Sequence, residues 1–367
     1  MVQEADKYDV VIVGGGPAGS AAAIAARLRD LRTLVIERHP TPQPSPCAGW
    51  LGPAAVGLCA ELGVDAPALG APFQGLGLFA WGAKQRVEVH DPALTGCIVD
   101  PPALSAALLA AAEARGATVR RRTTVESLRI GEHCATLELP GGNAVEGCVV
   151  LIADGAASLT ARMTQLAAGS QDGRAAGGAL AVYETAGENL GLDVVLGATG
   201  GLKVVAIARR PGQTRVALWT RDASLPAVEQ LARFLASEPA AEILPQTPPA
   251  AVIPVPCRAG VALEMESHVS KRCLLIGDAG GFVSSFSAEG IYPALRSGCL
   301  AAEVVAQALA GQVLQDELAT FRATWRAALA DYLRMPNTDL GLLMPMVFSN
   351  PQMSTRVARA FLLGQAF

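Results

Sequence analysis

Apolar and polar positions divide the first part of the chain into two strand-like runs and one helix-like stretch. The run Tyr8 to Val13 is short, apolar and β-branched, and Thr33 to Ile36 has the same character. Between them, an alanine-rich stretch continues to about Arg29. This order of strand, tight turn, helix and strand predicts a βαβ unit at the start of the fold.

The pattern of apolar and polar positions changes at about residue 166 and returns to that of buried strands and helices after about residue 260. Residues 166–260 begin with a glycine-rich stretch and continue as short alternating runs, which is typical of an inserted antiparallel sheet. From Arg272 the run CLLIGD is again typical of a buried strand, and the chain after Ile291 is mainly helical in pattern. The individual predictions are helices over 51–62, 102–115 and 225–236, strands over 75–89, 116–130, 134–140, 144–154, 179–185, 202–210 and 214–220, turns at Gly82-Ala83 and Gly141-Gly142, and an extended proline-rich loop over 39–50.

These changes of pattern predict a discontinuous α/β architecture. One domain is expected from three segments and a second from two, followed by helices. The predicted bounds are 1–75, 96–165 and 266–310 for the first domain, 76–95 and 166–265 for the antiparallel-sheet substrate domain, and 311–367 for a C-terminal helical segment.

Composition narrows the classes of partner. A net charge of −4 without a run of lysines or arginines argues against nucleic acid. The amino-terminal segment lacks a cationic region before its apolar run, and no apolar run approaches the roughly 18 residues of a membrane span, so we expect a cytoplasmic protein. A mean hydropathy of +0.34 is high, which leaves an apolar ligand or peripheral membrane contact open.

The metal-ligating residue types are scattered. Eight cysteines and four histidines occur without any Cys-x-x-Cys spacing, so no metal site is predicted. Cys148 and Cys273 adjoin apolar runs, where a free cysteine acts as a small buried side chain.

The first glycine-rich loop has the spacing of a dinucleotide-binding turn. Gly14 makes the turn, Gly16 lets the backbone approach a pyrophosphate, and Gly19 lets helix and strand pack closely. The amides at the helix N-terminus then hold the phosphate charge. Glu37, 23 positions after Gly14, ends the second strand, where an acid binds a ribose that carries no 2′-phosphate.

A second glycine-rich loop lies near the other end of the chain. The run CLLIGD ends at Gly277-Asp278, Gly280 and Gly281 permit close backbone approach, and a helix begins near Gly290-Ile291. Two such loops suit the two ends of one long cofactor, FAD. Asp278 would accept hydrogen bonds from the ribityl hydroxyls, and the helix dipole would favour the anionic reduced ring.

Three segments resemble a known family. Gly277-Asp278-Ala279-Gly280-Gly281-Phe282-Val283 with Glu289-Gly290-Ile291 is similar to the flavin segment of the geranylgeranyl reductases, a branch of the para-hydroxybenzoate hydroxylase-like FAD proteins. Ala153 to Ser158 resembles the DG motif of that superfamily, and Pro46-Cys47-Ala48-Gly49 resembles the P-C-G-G loop of the reductases. The resemblance implies a Rossmann-type FAD-binding domain with an inserted antiparallel-sheet domain and a helical C-terminus. It implies FAD contacts at Gly14, Gly16, Ala18, Gly19, Glu37, Arg38, Asp154, Gly277, Asp278, Gly290 and Ile291.

The chain departs from the family at several positions. Pro101 follows Asp100 where the family has an arginine beside the flavin, and Ala157 replaces the arginine of the DG motif, with Arg162 one place late. No aromatic strand corresponds to the reductases' substrate pocket near Gly201 to Lys203. The substrate is therefore left open.

Two residues are candidates for catalysis, Cys47 beside the ring and Tyr292 at the start of the late helix. Cys47 is otherwise a buried thiol in a proline-rich loop. Glu289 is interpreted as a charge at the start of a helix, with acid catalysis as the alternative. Trp50 is interpreted as core and Lys84 as a surface residue. The apolar stretch Leu340 to Phe348 either roofs a lipid-sized tunnel or is ordinary core.

The leading interpretation is an FAD-dependent oxidoreductase that reduces a carbon–carbon double bond of an apolar small molecule. One alternative on the same scaffold is a monooxygenase or halogenase that uses a flavin C4a-(hydro)peroxide. Another is a flavin-binding protein without catalysis. No second dinucleotide motif is present for NAD(P)H, so NAD(P)H or a protein electron donor, such as a reductase partner, would bring the electrons.

Overall fold

The computed structural model describes residues 6–41, 47–82, 84–164, 166, 177–185, 190–197, 201–337 and 340–365. The strands are β1 (Asp6–Val13), β2 (Thr33–Ile36), β3 (Trp50–Leu51), β4 (Gly70–Gln74), β5 (Leu76–Ala80), β6 (Arg86–Val89), β7 (Thr95–Val99), β8 (Thr118–Arg120), β9 (Ser127–Ile130), β10 (Ala135–Leu139), β11 (Asn143–Ile152), β12 (Gly177–Tyr183), β13 (Gly191–Gly197), β14 (Lys203–Arg210), β15 (Gln213–Thr220), β16 (Ala251–Pro256), β17 (Val269–Ser270) and β18 (Cys273–Leu275). The helices are α1 (Pro17–Arg27), α2 (Pro53–Glu61), α3 (Pro101–Ala114), α4 (Leu159–Arg162), α5 (Ala227–Leu235), α6 (Glu238–Ile243), α7 (Val261–Glu264), α8 (Ile291–Ala310), α9 (Leu314–Ala319), α10 (Phe321–Leu333), α11 (Leu340–Ser349) and α12 (Pro351–Leu363).

A mainly parallel sheet forms the first layer, in the order β17-β18-β11-β1-β2-β8. The pairs β18/β11, β11/β1, β1/β2 and β2/β8 are parallel, and β10 with β9 extends from β11 as an antiparallel hairpin. Val10 to Val13 are buried, as expected for a strand covered on both faces. The predicted βαβ unit and the α/β fold are confirmed.

Helices α1 and α8 cover one face of this sheet and contact each other closely. A Cβ built at Gly298 of α8 would lie 2.3 Å from the carbonyl oxygen of Ala18 in α1. Only glycine permits this approach, and it brings the N-termini of the two helices to the same side of the sheet.

A second sheet runs in the order β16-β12-β15-β14-β13-β5-β6. Its pairs are antiparallel except β13 with β5, where Val194 lies opposite Leu78 in a parallel pair. Segments 76–89 and 177–256 therefore meet in one sheet, as predicted, although the domain bounds themselves stay a prediction. A third sheet has the order β3-β7-β4, and both of its pairs are antiparallel.

The strands that were not predicted from the sequence are β3, β4, β7, β13, β16 and β17. β16 carries Pro254 and Pro256, and proline is tolerated there because β16 is an edge strand that pairs only with β12 in the described sheet. β13 is flanked by glycine at both ends, which weakens its strand pattern.

The interpretation of Leu340 to Phe348 as core holds only in part. These residues form α11, but only Leu340 and Val347 of this helix are buried, whereas Leu342 and Met346 are 78% and 47% exposed. Leu340 and Val347 belong to a buried apolar cluster, against which Leu343, Met344 and Phe348 pack partly buried. The tunnel roof stays a prediction. None of residues 340–348, all of them described, lines the central cavity. The helix lies on the surface with part of its apolar face uncovered.

Some predictions fall on residues outside the described ranges. They are the part of the proline-rich loop from residue 42 to Pro46, the glycine-rich stretch over 167–176 and the turn position Ala83. Within the described ranges, no helix is long and apolar enough to cross a bilayer.

Candidate functional site

The glycine-rich loop after β1 has the predicted geometry. Gly14 has φ +105°, and a Cβ there would lie 2.4 Å from the carbonyl oxygen of Ala153, at the end of the neighbouring strand. A Cβ at Gly19 would lie 1.9 Å from the carbonyl oxygen of Gly14, so this glycine lets α1 close onto the loop. No heavy atom of the described chain lies within 4 Å of a Cβ built at Gly16. Gly14 and Gly19 therefore leave no room for a side chain, whereas Gly16 borders open space.

Glu37 at the end of β2 stabilises the glycine-rich loop after β1 by hydrogen bonding. Its carboxylate accepts hydrogen bonds from the backbone N–H of Gly15 at 2.7 Å and of His39 at 2.8 Å. A ribose would therefore meet a carboxylate already oriented by the backbone. Arg38 is exposed, and its Nε lies 2.9 Å from Nε2 of His39.

Two helix N-termini border the same cavity. Helix α1 begins after Gly16 and α8 begins after Gly290, and neither N-cap residue supplies a side-chain cap. Gly16 and Ala18 line the cavity from one side, and Gly290 and Ile291 line it from the other. First-turn amides and the helix dipole favour negative charge at both ends.

The cavity has a volume of about 280 Å³ and lies between these loops and the second sheet. The sheet contributes small and apolar side chains, which are Ala179, Val204, Ala206, Ala217, Leu218, Trp219, Val255 and Pro256. Trp50 closes one side and stacks on Phe361 of α12 with ring centroids 5.1 Å apart. Trp50 therefore belongs both to the predicted core and to the cavity wall.

Asp278 and Arg258 form a charged corner of this otherwise apolar cavity. Burial raises the pKa of the Asp278 carboxyl to about 6, and the nearby Arg258 guanidinium opposes this rise. Arg258 Nη1 donates a hydrogen bond to the carbonyl oxygen of Ala279 at 3.1 Å. Gly277 has φ +56°, and a Cβ there would lie 2.6 Å from Cβ of Ala18, so the two glycine loops contact each other directly.

Cys47 lines the cavity as a neutral thiol. The backbone N–H of Gly49 donates to its Sγ at 3.3 Å, and Arg215 Nη1 donates to its carbonyl oxygen at 2.5 Å. Burial raises the thiol pKa to about 11. The thiolate needed for nucleophilic chemistry is therefore not the resting form.

Arg215 and Arg258 were not predicted as site residues from the sequence. The signal for Arg215 was present in β15, because strand alternation places Arg215, Ala217 and Trp219 on one face. An arginine on the inward face of a strand is rare without a partner. Arg258 follows the proline-containing edge strand and gave no comparable signal.

Glu289 is buried on the cavity wall, with 4% of the residue exposed. Its Oε1 accepts a hydrogen bond from the Tyr292 backbone N–H at 2.7 Å, and its Oε2 accepts one from the Tyr332 hydroxyl at 3.0 Å. Burial raises the pKa of this carboxyl to about 7. Glu289 does support the first turn of α8, as interpreted from the sequence, but it also faces the cavity.

Two predicted site residues use their side chains elsewhere. Tyr292 is not among the cavity-lining residues of the described chain, and its ring packs on Tyr332 with centroids 4.9 Å apart. The Asp154 carboxylate accepts hydrogen bonds from the Ser158 hydroxyl and, at 3.0 Å, from the Thr160 N–H, so it fixes the start of α4. The catalytic role of Tyr292 stays a prediction that the geometry does not favour.

Lys84 lies outside this site, and the site's cysteine and carboxylate side chains do not form a metal-binding group. Lys84 is exposed and pairs with Glu238 at 2.9 Å, as expected of a surface lysine. Among the described residues, no three His, Cys, Asp or Glu side chains come together in a way that could hold a metal ion.

A comparison with protein-family models matches residues 7–334 to the FAD binding domain. The chain belongs to this family. It is 28% identical over 345 residues to the digeranylgeranylglycerophospholipid reductase of Methanocaldococcus jannaschii, covering 89% of this chain and 84% of the relative. The prediction of an FAD-dependent oxidoreductase that resembles the geranylgeranyl reductases is confirmed.

Solved structures share the fold at low sequence identity. A geranylgeranyl bacteriochlorophyll reductase-like protein from Thermoplasma acidophilum aligns with a TM-score of 0.74 and 18% identity, over 99% of this chain and 93% of that one. A flavin-dependent brominase aligns with a TM-score of 0.76 and 18% identity, over 98% and 94% of the two chains. These likenesses show the fold alone.

Proposed function

We propose that the chain reduces a carbon–carbon double bond in an apolar, isoprenoid-type molecule. The observation that carries this proposal is the cavity, which is apolar on the sheet side and meets both glycine loops on the other. A small, mostly apolar cavity with a few polar groups at one end suits an apolar substrate held by shape. The similarity to a digeranylgeranylglycerophospholipid reductase over most of its length supports the same substrate class.

The residues fit FAD as follows. The open space at Gly16 and the first-turn amides of α1 suit the pyrophosphate, and Glu37 suits the adenosine ribose. Asp278 suits the ribityl hydroxyls, and the N-terminus of α8 at Gly290 and Ile291 suits the negative charge of the reduced ring. Bound FAD would supply hydride for the reduction.

The other cavity residues orient the substrate and exclude water. Trp50 and Trp219 close the cavity with large apolar surfaces, which keeps water from the reacting carbon atoms. Cys47, in its neutral thiol form, contributes shape and a weak donor at the wall.

The proposal also covers the electron donor that reduces the flavin and the place of the protein in the cell. NAD(P)H that binds transiently, or a reductase partner, would reduce the flavin, since one dinucleotide loop is present and FAD occupies it in our proposal. A cytoplasmic protein in peripheral contact with a membrane would meet isoprenoid lipids, and the exposed Leu342 and Met346 of α11 support such contact.

The main alternative is oxygen chemistry. The fold is shared with a flavin-dependent brominase, and one fold serves both outcomes, so product analysis must separate them. A flavin-binding protein without catalysis is the third outcome of the same experiment.

The test is a single-turnover reaction of the purified protein. The protein is loaded with FAD, reduced with dithionite without oxygen, and mixed with a geranylgeranyl lipid while flavin absorbance is recorded. We expect reoxidation of the flavin together with a product two mass units heavier for each double bond reduced. Reoxidation only by air, with an oxygenated or halogenated product, would favour the alternative. Flavin that is not reoxidised by any substrate would favour the protein without catalysis.

A further inference from the structure

Reduction of a carbon–carbon double bond needs a proton as well as a hydride. The π bond breaks, hydride from the reduced flavin forms one C–H bond, and a proton forms the other. In a cavity that excludes water, the proton must come from a side chain on the wall. The titratable residues that line the cavity within the described chain are Cys47, Cys257, Arg258, Asp278 and Glu289.

Four of these five groups are poor proton donors at neutral pH. Burial raises the pKa of Cys47 to about 11 and that of Cys257 to about 12, so neither thiol gives up its proton readily. Arg258 keeps its positive charge at every working pH. Burial raises the pKa of the Asp278 carboxyl to about 6 against the opposing charge of Arg258, so this carboxyl is mostly ionised at pH 7. The proposed FAD site also uses it for the ribityl hydroxyls.

Glu289 has a different setting. Each carboxylate oxygen has its own partner, the Tyr292 N–H on Oε1 and the Tyr332 hydroxyl on Oε2. A phenol hydroxyl donates to a carboxylate and, after rotation about its C–O bond, accepts from a carboxylic acid. The contact between Tyr332 and Glu289 therefore persists in both protonation states of the carboxyl.

We propose that Glu289 is the proton donor to the substrate and that Tyr332 is a positioning residue that holds its carboxyl in both protonation states. This inference rests on the proposed reduction. The Glu289 O–H bond breaks as the second C–H bond forms, and the carboxylate that remains accepts the Tyr332 hydrogen bond. It regains a proton from solvent between turnovers.

The groups around Glu289 are consistent with a carboxyl that exchanges protons near neutral pH. Asp278 faces it from the second glycine loop, Cys47 from the loop before β3, Tyr292 from α8 and Tyr332 from α10. Burial is the main cause of its raised pKa of about 7, the hydrogen bonds oppose that rise, and the Asp278 charge adds to it.

The first test compares Glu289→Gln with Glu303→Gln in the FAD-loaded protein. Glu303 lies on the same helix α8 and pairs with Arg29 at 3.2 Å, so its variant controls for loss of a carboxylate from this helix. Single-turnover reoxidation by the geranylgeranyl lipid is measured from pH 5.5 to 8.5. We expect Glu289→Gln to lower the rate by about 10²–10⁴-fold and to abolish the fall in rate above pH 7. The Glu303 variant should keep the wild-type profile.

Tyr332→Phe tests the positioning role. Its phenyl ring keeps the packing but loses the hydrogen bond to the carboxylate, which stabilises the charged form. The fall in rate should therefore move to higher pH than in the wild type. A role limited to packing would leave the profile where it was.

A second readout does not depend on turnover. Infrared difference spectra between pH values are recorded for the FAD-free protein and for the FAD-loaded protein. Both should show a protonated carboxyl band that disappears as the pH rises through about 7. The same band should be missing from Glu289→Gln. No such band in the wild type at pH 6, or a Glu289→Gln rate within threefold of the wild type, would overturn the inference. A wild-type protein that shows the band but reduces no isoprenoid lipid would instead overturn the proposed function.

Discussion

At the scale of single residues, the glycines of the first loop have different functions although they form one motif. Gly14 and Gly19 are closed against backbone carbonyl groups, so a side chain at either position would collide with the fold itself. Gly16 has φ −71° and ψ −173°, a conformation open to any residue, and it borders open space. The protein alone does not need glycine at position 16, and in the proposed FAD site the pyrophosphate would supply the reason for it.

Gly16→Ala should therefore separate folding from FAD binding. We expect the free energy of unfolding without FAD to stay the same or to rise by about 0.4–1 kcal/mol, because alanine restricts the unfolded chain. The added methyl group would occupy the space of the pyrophosphate, so FAD affinity should fall at least tenfold. Urea unfolding of the FAD-free protein and a fluorescence titration with FAD measure the two quantities.

Gly57→Ala is the matched control for this substitution. Gly57 is exposed in α2, and no heavy atom of the described chain lies within 4 Å of a Cβ built there. Its variant should be as stable as the wild type or more stable, with unchanged FAD affinity. Equal FAD affinity of Gly16→Ala and Gly57→Ala would contradict the assignment of Gly16.

At the scale of elements, the sequence predicts those whose pattern is local. β1, α1 and α8 each adjoin a glycine-rich turn, and β2 is a short, uninterrupted apolar run; all four lie where predicted. β3 has only two residues and β16 contains proline, so neither has a pattern that exceeds its surroundings. Such strands form because a neighbouring strand is available, which a single sequence does not reveal.

The same limit applies to the candidate site. The glycine loops, Asp278 and Cys47 belong to motifs, and the sequence brings them to attention without a structure. The contact of Arg215 with Cys47 joins positions 168 residues apart, and the contact of Tyr332 with Glu289 joins positions 43 residues apart. Contacts of this kind depend on how the two sheets and the C-terminal helices are placed, so no local pattern predicts them.

Helix α11 shows how apolar character and burial can differ within one element. Leu342→Gln on its exposed face should change the free energy of unfolding by less than about 0.5 kcal/mol, whereas Val347→Ala on its buried face should lower it by about 1–3 kcal/mol. Urea unfolding of both variants measures the difference. A loss at Leu342 as large as that at Val347 would mean that another part of the protein covers this face.

At the scale of the whole molecule, buried titratable groups make stability depend on pH in opposite directions. Burial is the main cause that lowers the pKa of His268 from 6.5 to about 4. The contribution of neutral His268 to the free energy of unfolding is therefore complete above pH 6.5 and is lost as the pH falls through 4. The raised pKa values of Glu289 and Asp278 have the reverse effect, because burying their charged forms costs stability as the pH rises. These opposing contributions flatten the pH profile of the intact protein.

His268→Gln should reveal this balance. His268 Nε2–H donates to the carbonyl oxygen of Gly280 at 2.8 Å, and a glutamine amide can replace that donor without gaining charge in acid. As the pH is lowered from 7 to 4, the free energy of unfolding of the variant should rise relative to that of the wild type by up to about 3 kcal/mol. Urea unfolding at several pH values measures this difference, with exposed His90→Gln as the control. Parallel profiles for the wild type and His268→Gln would show that His268 does not titrate in this range.

The order of strands in the first sheet also affects how the protein is made. β1 is synthesised early, but β18, which leads into the second glycine loop, is added to the sheet only after the whole second sheet has been synthesised. At about 5–20 residues per second, roughly 15–55 s separate the synthesis of Gly14 from that of Gly290 on the ribosome. Once β11 has been synthesised, its edge stays uncovered until β18 follows, and a site that uses both glycine loops is incomplete until then. FAD bound across both glycine loops therefore cannot assist the early folding of the nascent chain, because its site forms only after most of the chain has been synthesised.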